Sequence, residues 1–277
     1  MFRAAIYIRG VLVSAWLLSL APVLAQTNAL PHVYTNGFKI ALELGNDLYE
    51  TLDYSFQRSV QPDPVQLEPS DTPLITPAAT EDAREKLGQV IVSAGYIDLL
   101  NHVAHAKAID RIQPGYFAQY ANLLGRQTSS DSVPELVNMV DSRFWTRQVM
   151  DEQMSYFNQM IGLTVAINLS HHYLGHYRHY ASRMLGGQLM PINNFIAPTE
   201  WETSVRLAAL NSMDCGLATA GPIALFEVID KMPARPAWAA YLVPTNADLK
   251  LLNRQLGVYE TNYWRGQLTV DGLAKGK

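Results

Sequence analysis

Cysteine is almost missing from this chain: Cys215 is the only one in 277 residues. One thiol cannot close an internal disulfide, so a disulfide framework is excluded. The reading for Cys215 is a small buried hydrophobe. Charge is sparse as well, at 17% of residues with a formal net charge of -4. No basic stripe breaks that balance, which argues against nucleic acid as a partner. Internal repeats are missing, and so is any convincing run of alternating strand residues. What is plentiful is aromatic: 14 tyrosines suit a packed domain and not a disordered one.

The chain opens with Arg3 and Arg9, an apolar run over residues 11–20, and then Ala21-Pro22-Val23-Leu24-Ala25-Gln26. That order is a positive n-region, an apolar h-region and a small-residue cleavage site, which predicts a signal peptide over 1–25 with cleavage after Ala25. The apolar run is short of the about 20 residues a membrane span needs. An uncleaved anchor is the alternative. No cysteine follows the cleavage site, which argues against a lipoprotein. The expected protein is exported, periplasmic or extracellular, and its mature part does not span a membrane.

The fold class expected is mainly α: a helical core around one long central helix, preceded by N-terminal helices and a Pro-rich connector. Residues 26–60 form the N-terminal helical segment. Within it Ile40, Leu44, Leu48, Leu52 and Phe56 recur every fourth residue, predicting a helix over 38–56. Residues 61–79 carry Pro62, Pro64, Pro69, Pro73 and Pro77 and read as an extended connector over the surface. Residues 80–277 form the main helical domain. There Thr80-Glu81-Asp82 starts a helix to about Ile112, with Gly88 and Gly95 allowing close helix contact. Further helices are expected over 116–124, ended by Gly125, and over 134–145, after a polar stretch at 128–132. Residues 150–184 read as one continuous helix, very apolar between Ile161 and Leu169, hence buried on every side. Gly186-Gly187 ends it. Helices follow over 201–213 with Gly216 as cap, from Gly221-Pro222 to Met232, and over 246–256.

Of the seven histidines, four fall between His171 and His179. On a continuous helix His172 and His176, four apart, share one face, and His179 lies close to it. Two imidazoles so spaced can bind one zinc ion, which then needs a third ligand from elsewhere.

His172-Tyr173-Leu174-Gly175-His176 resembles the His-Glu-Leu-Gly-His of the gluzincin metallopeptidases related to the CAAX prenyl proteases. In that family the following helix supplies a glutamate ligand in an E-x-x-x-D pattern, then a glycine-containing turn and a further helix follow. This chain has Glu202-Thr203-Ser204-Val205-Arg206, then Gly216, then Ile223 to Glu227. The resemblance spans roughly residues 161–230, about a quarter of the chain. It implies a zincin-like core, Zn2+ as cofactor, His172, His176 and Glu202 as metal ligands, and polypeptide as the substrate or partner.

Two departures bear on activity. Tyr173 stands where the family has its catalytic glutamate. A phenol, with a reference pKa of about 10, is a poor base at neutral pH, and losing a positioned general base costs on the order of 10²–10⁴ in rate. Arg206 stands where the family has its aspartate, which removes a partner that orients the ligands. Glu200 is a rival ligand or a substitute base, so the catalytic candidates are Tyr173 and Glu200. The expected function is a metallopeptidase-like protein, catalytically impaired or kept for binding. A metal-free structural or binding protein of the cell envelope is the alternative. Asp98, His102 and His105 also share a helical face, read as a polar stripe in preference to a second metal site. Trp201, Trp238 and Trp264 read as packing residues, and Arg178 as a solvated or salt-bridged arginine in preference to a carboxylate holder.

Overall fold

The computed structural model describes residues 35–80, 87–126, 133–181 and 190–267. The predicted leader with its cleavage after Ala25, the Glu81-Asp82 helix start, the polar stretch at 128–132 and Gly186-Gly187 lie outside the described residues.

The chain is mainly helical, as expected. Helix α1 (Thr35–Glu50) is followed by one short turn of helix, α2 (Tyr54–Gln57). The predicted helix over 38–56 is thus broken in two, because the Asp53 carboxylate accepts from the Ser55 N–H at 2.7 Å and restarts the helix. The apolar stripe itself holds: Leu48 and Leu52 are buried, and Ile40, Leu44 and Phe56 pack on the core.

The Pro-rich segment is not a surface connector. It forms strands β1 (Val60–Glu68) and β2 (Ile75–Ala79), which flank β3 (Gly88–Ser93) in a three-stranded sheet of order β1-β3-β2. β1 runs parallel to β3 and β2 antiparallel to it. The prolines fit because they avoid the central strand. Pro62 and Pro64 lie where the β1 register shifts between Val60 and Val65. Pro77 lies on the edge strand β2 opposite Val90. A missing N–H is tolerated at such edges and irregularities.

β3 also replaces the first part of the helix expected from Thr80. Its Val90-Ile91-Val92 run is β-branched and buried between two strands. Ser93 then caps α3 (Ala94–Asp110), accepting from the Tyr96 N–H at 3.0 Å while donating to the Thr72 carbonyl at 2.7 Å. Gly88 and Gly95 do permit close approach, though to other partners: the His172 ring and the Asp71 carbonyl.

After α4 (Tyr116–Gly125), residues 134–141 are irregular with one turn at 137–140, and only a 3-10 turn, Ser142–Trp145, forms where a longer helix was expected. The central helix is α5 (Arg147–Tyr173). Every residue from Met160 to His171 is buried, as an all-round apolar helix requires. Its few polar side chains there turn back on their own helix: Thr164 donates to Met160 O and Asn168 to Thr164 O, each at 2.8 Å. α5 packs on α1, α3, α7 (Pro198–Asp214), α8 (Ala220–Lys231) and the sheet. One continuous core runs from Ala41 in α1 to Leu256 in the last helix described, α9 (Leu249–Trp264). α9 starts three residues later and ends eight later than the sequence suggested.

α5 does not continue to 184. Gly175 takes a left-handed conformation, φ 77°, and ends it. A separate five-residue helix, α6 (His176–Tyr180), begins at once. Glycine adopts positive φ with no Cβ penalty, so Leu174-Gly175 reads in retrospect as a helix stop. No helix among the described residues is long and apolar enough to cross a membrane.

Candidate functional site: the histidines at the end of the central helix

The break at Gly175 decides the geometry. His172 belongs to α5 and His176 to α6, so the one-face argument for the pair no longer applies. His172 turns toward the sheet, and its Nε2–H donates to the Gln89 carbonyl at 2.9 Å. A Cβ on Gly88 would lie 2.3 Å from the His172 Cγ, so the ring sits flat against strand β3 where only glycine leaves room. Burial pushes its pKa down from 6.5 to about 4, against a smaller opposing effect of the Gln89 hydrogen bond. The ring is therefore neutral at ordinary pH.

His176 meets a different partner, His171. Their Nδ1 atoms are 3.1 Å apart. The Ser204 Oγ, from α7, lies 3.2 Å from the His171 Nδ1 and 3.4 Å from the His176 Nδ1. It also donates to the Glu200 carbonyl at 3.1 Å. Both imidazoles have lowered pKa values. For His171 the cause is burial, then the neighbouring His176 and His172; for His176 it is burial, opposed by Glu200. Two neutral imidazoles share one N–H between their facing nitrogens, so the contact is an ordinary hydrogen bond. Ser204 is fully buried and His171 is 1% exposed. A serine that no substrate can reach is not a working nucleophile, whatever histidine it touches.

Glu200 lies beside this group. Its carboxylate accepts from the Tyr180 hydroxyl and from the Ala197 N–H, both at 2.8 Å, capping the first turn of α7. Burial acts to raise its pKa, but those two hydrogen bonds and the imidazoles of His176 and His179 hold it below the usual carboxylate value. His179 is exposed and stands edge-on to Tyr180. Glu202 is two residues further along α7, about 200° around the helix from Glu200. It therefore shares a face with Arg206 and not with Ser204. Tyr173 stacks on Phe56 at 4.3 Å, and burial pushes its phenol well up. That is a packing environment for a side chain expected at a catalytic position.

The expected trio of His172, His176 and Glu202 is thus not brought together. Among the described residues, no three His, Cys, Asp or Glu side chains converge as ligands of a metal ion. The cluster that does form, His171, His176, Ser204 and Glu200, includes Ser204, which sequence reasoning missed. The available signal was Gly175: a helix stop there joins His171 to His176 and detaches His172.

The second group, Asp98, His102 and His105, is buried in α3 and is not a solvated stripe. His105 donates from Nε2 to the Phe144 carbonyl at 2.8 Å and stands edge-on to Trp145, while His102 approaches Glu135 at 3.9 Å. Trp201 and Trp238 are buried as expected, but Trp264 is 58% exposed at the end of α9. Cys215 is half-buried, its thiol 3.2 Å from the Thr51 hydroxyl.

On the sheet side of the α5 end, His172 and Tyr177 form one wall of a cleft of about 470 Å3, shared with Arg58, Ser59, Ala79 and Arg178. Comparison of the chain with protein-family models, with curated proteins and with solved structures gives no match.

Proposed function

We propose that this protein is an exported, helical binding protein of the cell envelope that performs no peptidase chemistry. The observation that carries the reading is the Gly175 break. It spends His172 on the Gln89 carbonyl and pairs His176 with His171, while Glu202 faces another side of α7. A hydrolytic zinc site needs three converging protein ligands with an open position for water. Tyr173, stacked on Phe56, adds no base. The zincin-like residue pattern is, on this reading, retained by packing: His172 fills the space over Gly88, and His171 joins α5 to α6 and α7. The order of basic residues, apolar run and small residues over 1–25 supports export.

Elemental analysis tests this. Mature protein from zinc-replete expression should contain far less than one zinc per chain. It should also leave a denatured protein substrate intact, with or without Tyr173→Glu. Near-stoichiometric zinc that is lost in both His172→Ala and Glu202→Ala overturns the reading.

A further inference from the structure

The cleft beside the α5 end carries more than a lining. Arg58 and Arg178 both face it, one from the C-terminal end of α2 and one from α6. Both are exposed, and neither meets a carboxylate within ion-pair distance among the described residues. Among the described residues, none that lines the cleft is acidic. The Arg58 guanidinium lies 5.1 Å over the Tyr54 ring, which limits where it can swing. His172 and Tyr177, with ring centroids 4.8 Å apart, make an aromatic wall, and Ala79 adds apolar surface. Two guanidinium groups with no carboxylate partner among the described residues, on one concave surface, focus a positive potential that favours an anion. Their planar forks suit oxyanions.

We propose that this cleft binds a small organic oxyanion, its head between Arg58 and Arg178 and its flat or apolar body against His172 and Tyr177. The volume, about 470 Å3, is that of a small-molecule site and too small for a macromolecular surface. Ser59, a neutral hydroxyl-bearing residue, also lines the cleft. His172 adds shape but no free Nε2–H donor, since that N–H is already given to the Gln89 carbonyl. The inference deepens the binding reading and rests on it. Carboxylate and phosphate heads share the chemistry, and the choice between them is an experimental arm.

The test is calorimetric titration of the mature protein at low salt with benzoate, phenyl phosphate and inorganic phosphate, in wild type, Arg58→Gln, Arg178→Gln and the double variant. Exposed arginines tolerate this change without loss of fold, which a thermal melt verifies. At least one aromatic anion should bind, and more tightly than inorganic phosphate. Each single substitution should weaken it about tenfold, the worth of one charge-assisted hydrogen-bonding group, and the double substitution should abolish it. The stronger of benzoate and phenyl phosphate identifies the head group. No binding of either aromatic anion at millimolar concentration overturns the proposal. So does binding that survives the double substitution, or that responds to only one of the two arginines. Zinc content separates the levels: a zinc-loaded chain sinks the binding reading, whereas a zinc-free chain indifferent to both anions sinks this inference alone.

Discussion

Acidification from about pH 7.5 to about pH 5 should destabilise the protein through His172, whose imidazole is held neutral by burial. In the unfolded chain its imidazole takes up a proton near 6.5; folded against Gly88 and Gln89 it does so near 4. Between those values the unfolded state binds more protons, so stability rises with pH. Stability is fully present above 6.5 and is lost as pH falls toward the folded value. At about pH 5 the unfolded ring is mostly charged and the folded ring mostly neutral, which costs about 2 kcal/mol. That is a large share of a typical domain's about 5–15 kcal/mol. His171, His176 and His105, all lowered chiefly by burial, act in the same direction. His172→Gln isolates the one term, since glutamine carries no titrating group and can still donate to the Gln89 carbonyl. Urea denaturation followed by circular dichroism, at both pH values, should show wild type losing about 2 kcal/mol more than His172→Gln. Parallel losses in the two proteins, within the about 0.5 kcal/mol scatter of such comparisons, would refute the burial argument.

Gly88→Ala pushes a methyl into the His172 ring and should cost about 1–3 kcal/mol, read as a lower urea midpoint with an unchanged slope. Gly175→Ala forces a Cβ into positive φ in open space, so only backbone strain acts; about 1–2 kcal/mol is expected, and an unchanged melting temperature would count against the left-handed turn. Ser204→Val leaves the His171–His176 pair without its hydroxyl in a fully buried position and should destabilise by about 1–3 kcal/mol, with Ser204→Ala milder by the absence of the extra methyl groups. Cys215, half-buried with its thiol pKa raised by burial, should react with a disulfide reagent at neutral pH more slowly than a free thiol, and at the unhindered rate once urea unfolds the chain.

Much of the helical architecture was legible in the chain. The all-round apolar stretch of residues 161–169 marks the buried helix α5, because no solvent-facing stripe is left on it. Gly125 and the Gly221-Pro222 pair mark true helix boundaries. Less legible were the roles of proline and glycine, which depend on tertiary context. Pro77 fits an edge strand, and Gly175 is a stop.

By itself the sequence determined that the protein is mainly helical and which helix is central, because helix periodicity is written within a few neighbouring turns. It also determined which histidines cluster. Only tertiary structure decided which of them face one another. Strand β3 becomes the partner of His172 only after pairing with β1 and β2, and Ser204 meets His171 across 33 positions of chain. A single positive φ at Gly175 reorients every side chain after it, and no pattern of spacing along a continuous helix can express that turn.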